Sequence, residues 1–528
     1  MEKETKEFEK RKNDLINADK NSIEKQHKKG KLNAIERIHL LLDSESFVEI
    51  GSLMEHTSSD FGLDKKKIPR DGVVTGYGTI DGKRVFLYSQ DFSSHGGTLG
   101  SVHSQKIKNI IELAIKSGSP VIGLFDSGGA RIEEGIEALD GFGKIFSSNV
   151  KANGIIPQIS IILGPCAGGA AYSPGLTDFV FMVDGISNMF VTGPKVIKKV
   201  TGENVDMKTL GSAQMHTSKS GVAHFIYSNE NDCLEGVKKL ISYMPSNYLE
   251  YSPIYDIGDP IYRTNPILKD IVPEDPQKSY NVKDVINEIF DKESFFEIHE
   301  HFANNVVIGF AYLNGFSIGI VANQPLYKAG SIDILASEKI SKFVNFCDSF
   351  NIPIINLVDV PGYLPGTDQE TNGIIKYGAG VLYAYSNSTI PKIALIMRKA
   401  YGGAYIAMCS KELNYDMVFA WPYAQIAVMG AEQACEIIYH KEIATEKKFN
   451  FTKKVQEYEK KYLNPYLAAK NGSIDEVIEI ERTREVLIKT FEIIKNKRKK
   501  KKKTKKKKKK QKTTKKKKKK KTKIKNTI

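Results

Sequence analysis

Short apolar runs punctuate the chain, and each stops at a Gly, Pro or Asp corner. "PVIGLFDSGG" from Pro120, "ISIILGPCAGG" from Ile159 and "PIINLVDVPG" from Pro353 are of this kind. They show no strict alternation of polar and apolar positions, so both faces of each run need cover. That is the pattern of a buried parallel strand. Between the runs lie stretches such as "SVHSQKIKNIIELAIKSG" from Ser101, whose apolar residues recur at three- and four-residue steps. The segment "NSIEKQHKKGKLNAIERIHLLLD" before residue 45 has the same helical spacing. Strands alternating with amphipathic helices predict an α/β protein.

The pattern occurs twice. Asp126 matches Asp359, Gly169 matches Gly403, Asp178 matches Asp416 and Gly193 matches Gly430, at offsets of 233, 234, 238 and 237 residues. Four ordered markers at nearly constant offset predict two homologous domains. A stretch rich in Pro and Asp, from Ile254 to Ser279, joins them. The predicted boundaries are 1–262 and 263–494, followed by a tail over 495–528.

Charge changes this picture only at the end of the chain. The net charge is +16, but 24 Lys and Arg residues fall between Lys495 and Lys525, with no Asp or Glu among them. The remainder carries −8. Such a lysine-rich tract cannot bury enough surface to order itself and is expected to be disordered. It reads either as an arm for nucleic acid or an anionic surface or as a solvated extension, and residues 1–494, which hold no aromatic-basic motif, give no support to a dedicated nucleic-acid partner. Cys166, Cys233, Cys347, Cys409 and Cys435 lie far apart, with no zinc-like spacing, which fits a reducing compartment and predicts no metal. The opening "MEKETKEFEKRKNDL" lacks the apolar core of a signal peptide, and no apolar run reaches the ~20 residues of a membrane span. A soluble cytoplasmic protein is the expectation.

The duplicated runs ending in "GPCAGGAAYSP" and "RKAYGGAY" carry the candidate chemistry. Where a strand stops at Gly-Gly and the chain restarts as a helix, the first helical amides have no intrahelical partner. Glycine removes the β-carbons that would block approach. The product is a preformed site for an anion or a developing oxyanion. Neither corner carries the GK[ST] ending of a phosphate loop, and neither contains GxSxG. Two such corners suit a reaction that moves negative charge from one carbonyl-derived oxygen to another.

Together with these corners, "DSGGARIEEG", "FVTGPKVIKKVTGE", "HTSKSGVAH", "VDVPGYLPGTDQE" and "AWPYAQIAVMGAE" make the chain resemble the carboxyltransferase subunits of biotin-dependent acyl-CoA carboxylases and decarboxylases. The propionyl-CoA carboxylase β chain and the methylmalonyl-CoA decarboxylase α chain are the types it resembles. The likeness runs from about Lys29 to about Ile494. It implies two crotonase-like (ClpP/crotonase) domains, CoA on the first and biotin on the second, with the site formed where the first domain of one protomer meets the second domain of another. A homohexameric core is implied as well. Amides around Gly168, Gly169 and Ala170 would hold the thioester oxygen of a short-chain acyl-CoA, and those of Gly403 and Ala404 the biotin ureido oxygen. The chain has no biotinylation motif and no ATP-grasp signature, so biotin on a carrier protein and the ATP-dependent biotin carboxylase would be partner subunits. Contact with a membrane would be indirect, through a decarboxylase pump.

The resemblance also points to Gly96 and Gly97 in "SSHGGTLG" and to Gly128 and Gly129 as lining the CoA channel, although turn glycines would look the same. Arg131 could meet a substrate carboxylate or pair with the neighbouring Glu133 and Glu134. His95, His103 and His216 have no metal spacing and are expected to be hydrogen-bonded or exposed, while Trp421 and Tyr423 are expected to pack in the second domain. Where many relatives read Arg-His-Gly-Ala-Lys, this chain has Lys376 to Gly380 as KYGAG. Ile406 stands where propionyl-preferring relatives often carry Asp and is assigned to the acyl side. A CoA hydratase or isomerase on the same fold, with a single oxyanion hole, is the competing enzyme reading.

Overall fold

The computed structural model describes residues 2–16, 20–445 and 449–497. The first half holds β1 (Val48–Glu49), β2 (Val73–Ile80), β3 (Lys83–Gln90), β4 (Val121–Ser127), β5 (Gln158–Ala167), β6 (Phe179–Val183), β7 (Asn188–Phe190) and β8 (Phe225–Tyr227). The second holds β9 (Phe296–Ile298), β10 (Val306–Leu313), β11 (Phe316–Asn323), β12 (Ile354–Val360), β13 (Lys392–Tyr401), β14 (Met417–Ala420), β15 (Gln425–Ala427) and β16 (Glu476–Val477). The two sheets have one topology. Their orders are β1-β2-β3-β4-β5-β6-β8 and, read back from the far edge, β9-β10-β11-β12-β13-β14-β16, with β7 on β5 and β15 on β13. Each begins with an antiparallel hairpin and continues as parallel strands. Even the irregularities repeat, between Phe125 and Ser127 on β4 and between Val358 and Val360 on β12. The duplication inferred from sequence offsets is therefore present strand by strand.

The apolar runs are buried on both faces because alternate side chains enter different cores. Leu87 and Leu124 join a core that both halves share, while Phe86 and Phe125 face the opposite layer with Ile107 and Ile111 of the helix Ser101–Ser117. In the second sheet Phe310 and Ile354 join the shared core, and Ile355 and Leu357 pack under the helices Val282–Ile289 and Thr483–Ile494. Phe179 crosses between the halves, with its ring 4.7 Å from that of Phe346. The joint is also polar: the His299 amide donates to the His224 carbonyl at 3.1 Å, and the two imidazoles stack at 4.1 Å.

The connecting stretch lies against the second sheet. Tyr255 N donates to Gly315 O at 2.9 Å, and Arg263 donates to the carbonyls of Glu288 and Phe290. Trp421 is fully buried, with Nε1 donating to Thr483 at 2.9 Å, and Tyr423 packs edge-on beside it, in line with the sequence expectation. The tail begins later than its lysines suggest. Lys495 lies over the Phe316 ring at 4.9 Å and Lys497 pairs with Asp416 at 2.8 Å, so residues 495–497 are attached to the second half by a cation–π contact and an ion pair. The expected disorder of the rest concerns 498–528, outside the described residues. Among the described residues no helix is long and apolar enough to cross a membrane.

Candidate active site at two glycine corners

Strands β3, β4 and β5 are parallel, so their C-terminal ends share one edge of the sheet. The predicted site glycines gather there. After β3 the chain makes a turn in which His95, Gly96 and Gly97 all have positive φ (51°, 66° and 60°). A β-carbon on Gly97 would stand 2.4 Å from the Asp126 carbonyl oxygen, so only glycine lets the turn lie against the end of β4. Gly128 N donates to Gly96 O at 3.0 Å, and a β-carbon on Gly129 would come within 3.1 Å of the Ala167 carbonyl on β5. Gly168 then turns at φ +64°, opening a short 3-10 turn over Gly168–Ala171. The amides of Gly168, Gly169 and Ala170 start that turn and have no intrahelical carbonyl to bond.

The second half repeats this frame. Lys328, Ala329 and Gly330 take positive φ (50°, 51° and 77°) after β11, and a β-carbon on Gly330 would stand 2.6 Å from the Asp359 carbonyl oxygen. Gly402 turns at φ +56° and opens the helix Gly402–Cys409, leaving the amides of Gly403 and Ala404 in its first turn. The loops align by the same pairs of bonds: Leu99 N to Gly129 O and Arg131 N to Leu99 O in one half, Ile332 N to Gly362 O and Leu364 N to Ile332 O in the other.

Beneath each corner lies a buried ion pair. Asp126 receives Arg37 at 2.9 Å and Lys31 at 2.6 Å, and Arg37 also binds Glu230 at 2.7 Å. Burial lowers the pKa of Lys31 against the pull of Asp126. Asp359 receives Arg398 at 2.9 Å. None of these cations was a sequence candidate, although Arg398, breaking the apolar run "IALIMRK", is the kind of residue that needs a buried carboxylate.

Arg131 belongs to the scaffold. Its side chain is 0% exposed, with Nη1 on Asp71 at 2.6 Å and Glu134 at 2.7 Å and Nη2 on Thr98 O at 3.0 Å. Its charge is held by Asp71 and Glu134, the ion-pair alternative of the two that the sequence leaves open. The histidines are hydrogen-bonded: His95 reaches Glu133 at 3.3 Å, His103 Nδ1 lies 2.9 Å from Asp71 O, and His216 Nε2 lies 2.7 Å from Met189 O. No group of metal-ligating side chains occurs among the described residues. Tyr363, absent from the sequence candidates, lies between Gly378 and Gly403, where added β-carbons would sit 3.1 and 3.7 Å from its ring. Burial pushes its phenol up to about 12.

Both corners have apolar rims. Val191 is 52% exposed and its carbonyl faces Gly168; Val428 is 74% exposed and its carbonyl faces Gly402. Ile406, on the helix Gly402–Cys409, is 46% exposed. A cavity of about 740 Å³ adjoins the first corner, lined by Ala171, Tyr172, Phe146, Met189 and Val191 among others.

The carboxyl transferase domain model matches residues 25–510. The chain is 49% identical to the methylmalonyl-CoA decarboxylase subunit alpha of Veillonella parvula over 476 residues, covering 90% of this chain and 92% of that protein. It is 50% identical over 492 residues to the carboxyltransferase subunit of propionyl-CoA carboxylase from Haloferax mediterranei, covering 93% and 95%. Among solved structures, transcarboxylase 12S with methylmalonyl-coenzyme A and methylmalonic acid bound superposes with a TM-score of 0.92 at 46% identity, covering 95% of this chain and 96% of that one. With two halves of one topology, two amide corners at equivalent strand ends and this extent of likeness, the chain belongs to the carboxyl transferase domain family.

Proposed function

We propose that this chain transfers a carboxyl group between biotin on a carrier protein and the α-carbon of a short-chain acyl-CoA, in a homohexameric core served by a biotin carboxylase or a decarboxylase partner. The observation that carries this reading is the pair of equivalent amide corners. Gly168, Gly169 and Ala170 hold the thioester oxygen, whose negative charge grows as the α-proton leaves. Gly403 and Ala404 hold the ureido oxygen, and the Tyr363 ring, 3.7 Å from where a Gly403 β-carbon would sit, gives that corner a flat aromatic wall. Biotin, when delivered, supplies both the carboxyl group and the basic nitrogen. The chain's own part is to bind the two oxygens, align the reactants and exclude water. Residues 1–262 form the CoA half and 263–494 the biotin half.

The apolar rims support pairing between protomers. Val191 and Tyr172 at the first corner and Ile406 and Val428 at the second leave large side chains in water in a single chain, which contact with another copy would cover. Transcarboxylase 12S forms a hexamer. The test is direct. Purified chain, acyl-CoA and a separately charged biotin carrier should yield carboxylated acyl-CoA without ATP, whereas no product with propionyl-CoA or acetyl-CoA at any carrier concentration would refute the reading. Microscopic reversibility assigns one site to both directions, so methylmalonyl-CoA should also return its carboxyl group to the carrier.

A further inference from the structure

The connecting stretch leaves apolar side chains in water at the end of the second sheet opposite its amide corner. Leu249, Tyr251 and Ile254 are 72%, 76% and 64% exposed, and Tyr248 beside them is half-exposed. Their backbone is fixed nonetheless. Tyr248 N donates to Ile155 O at 3.0 Å, Asn351 Nδ2 donates to the carbonyls of Tyr248 and Glu250 at 2.8 and 2.6 Å, and Ser317 N donates to Pro253 O at 3.1 Å. A stretch held to both halves, with its large side chains uncovered, is a surface waiting for a contact. Pro353 and Pro391, which stand just ahead of β12 and β13, line the same groove. The second corner lies past Tyr401 at the other end of β13, about 30 Å away along a strand that rises ~3.3 Å per residue.

The charge of the chain begins at this groove. Lys495 and Lys497 line it together with Phe316, in a volume of about 780 Å³. Lys495 is paired with Glu492 and Lys497 with Asp416, so these two ammonium groups are neutralised. Residues 498–528, which follow directly, add 21 Lys and one Arg with no Asp or Glu. Residues 248–254 set a single carboxylate, Glu250, against them.

Uncovered apolar side chains and a dense run of ammonium groups starting beside them are the two components that together hold a protein on an anionic lipid surface; either alone attaches it only marginally. Tyrosine suits the headgroup level, where its ring is buried and its hydroxyl stays wet. Leu249 and Ile254 gain from an acyl boundary and from nothing on a nucleic acid, and lysine lacks the planar fork with which arginine reads bases. We propose that this face docks directly on an anionic membrane surface, with the 248–254 stretch at the headgroup boundary and the lysine tract on the surrounding phosphates and carboxylates. No spanning helix is involved. The corners, at the opposite strand ends, stay open to both reactants, and the docking does not depend on the carboxyl transfer reading.

The experiment is co-sedimentation of the full chain with vesicles of phosphatidylcholine alone or of equal parts phosphatidylcholine and phosphatidylserine. The parent should bind the second and not the first. Truncation after Lys497 should weaken the attachment about a hundredfold or more. Leu249→Ser with Tyr251→Ser, tail intact, should weaken it about tenfold and leave the melting temperature unchanged, because both side chains are exposed. Trp421 is the only tryptophan of the chain and is fully buried, so in Tyr251→Trp the added indole emission reports this face and should shift to the blue on anionic vesicles. Equal binding to both kinds of vesicle would overturn the proposal, as would full binding by Leu249→Ser with Tyr251→Ser or an unshifted Tyr251→Trp emission. A changed oligomeric mass in the serine variant would make the patch a contact between copies. Tighter, Tyr251-dependent binding to single-stranded polyuridylate than to the vesicles would give the face to nucleic acid. Either result also overturns it.

Discussion

The two corners share a backbone and an underlying aspartate and differ in the side chains around them. Each has a positive-φ turn pressed on an aspartate carbonyl and a second turn at a glycine pair, but Gly169 faces the Phe142 ring, 2.9 Å from where a β-carbon would sit, whereas Gly403 faces Tyr363 at 3.7 Å. The aspartate beneath the first corner takes its cations from the N-terminal segment, as Lys31 and Arg37; the one beneath the second takes Arg398 from its own neighbouring strand. What duplication preserved is the placement of backbone amides, which an oxyanion requires. What diverged is the side-chain surround, which decides the oxygen-bearing molecule.

The sharpest way to break the comparison is to remove the buried cations. Arg37→Met strands Glu230 and leaves Asp126 with Lys31 alone, and Arg398→Met strands Asp359, all fully or nearly fully buried. Each should cost about 3–5 kcal/mol of stability, read as denaturation midpoints. Arg37→Met should be the worse, because Glu230 loses its ion-pair partner and Asp126 one of its two.

The joint between the halves is next. Burial holds His224 down to about 3 and His299 well below its ordinary value, with the facing imidazole adding to the second. Both fold as neutral rings, so below pH 6.5 the unfolded chain takes up protons that the folded chain refuses. Their contribution is complete above pH 6.5 and is lost as pH falls below it, for His224 down to about 3, at about 1.4 kcal/mol per pH unit for each ring. Buried Asp178, raised to about 7, works in the opposite direction by staying protonated in the fold. His299→Phe should therefore flatten the acid side of the stability profile by about 1.4 kcal/mol per pH unit between pH 6.5 and 5. An unaltered slope would show that His299 is protonated in the folded chain.

Smaller effects separate the glycines. Gly97→Ala meets the Asp126 carbonyl at 2.4 Å, whereas at Gly96, also at positive φ, the nearest atom is 3.9 Å away. Gly97→Ala should cost about 1–3 kcal/mol more than Gly96→Ala, and Gly330→Ala should resemble Gly97→Ala. Smallest is Ile406→Asp. If this exposed side chain touches the acyl group, kcat/KM ratios among acetyl-, propionyl- and butyryl-CoA should shift by about 1–3 kcal/mol with biotin affinity unchanged. Lost biotin affinity with constant acyl ratios would place Ile406 on the other reactant.

Much of this frame was legible in the chain itself. Parallel strands buried on both faces leave uninterrupted apolar runs, and equal spacing of Asp126 and Asp359 or Gly169 and Gly403 requires no tertiary knowledge. Partnerships across sequence were not legible. Arg37 reaches Asp126 over 89 residues and Glu230 over 193. His299 meets His224 only because the halves share a core. Arg131 sits in a motif beside glycines that do line the corner, yet Asp71, 60 residues away, holds it in the scaffold. Lys497 reads as the start of a lysine tract until Asp416 appears beside it.

The central claim, that one reaction uses a first corner and a second corner from different protomers, is tested by complementation. Gly169→Val and Gly403→Val chains, each expected to be inactive alone, are co-expressed with distinct tags, and doubly tagged hexamers are isolated and assayed with a charged biotin carrier. Random pairing across protomers should restore about a quarter of the parental rate. Mixed hexamers of correct mass with no activity would contradict it.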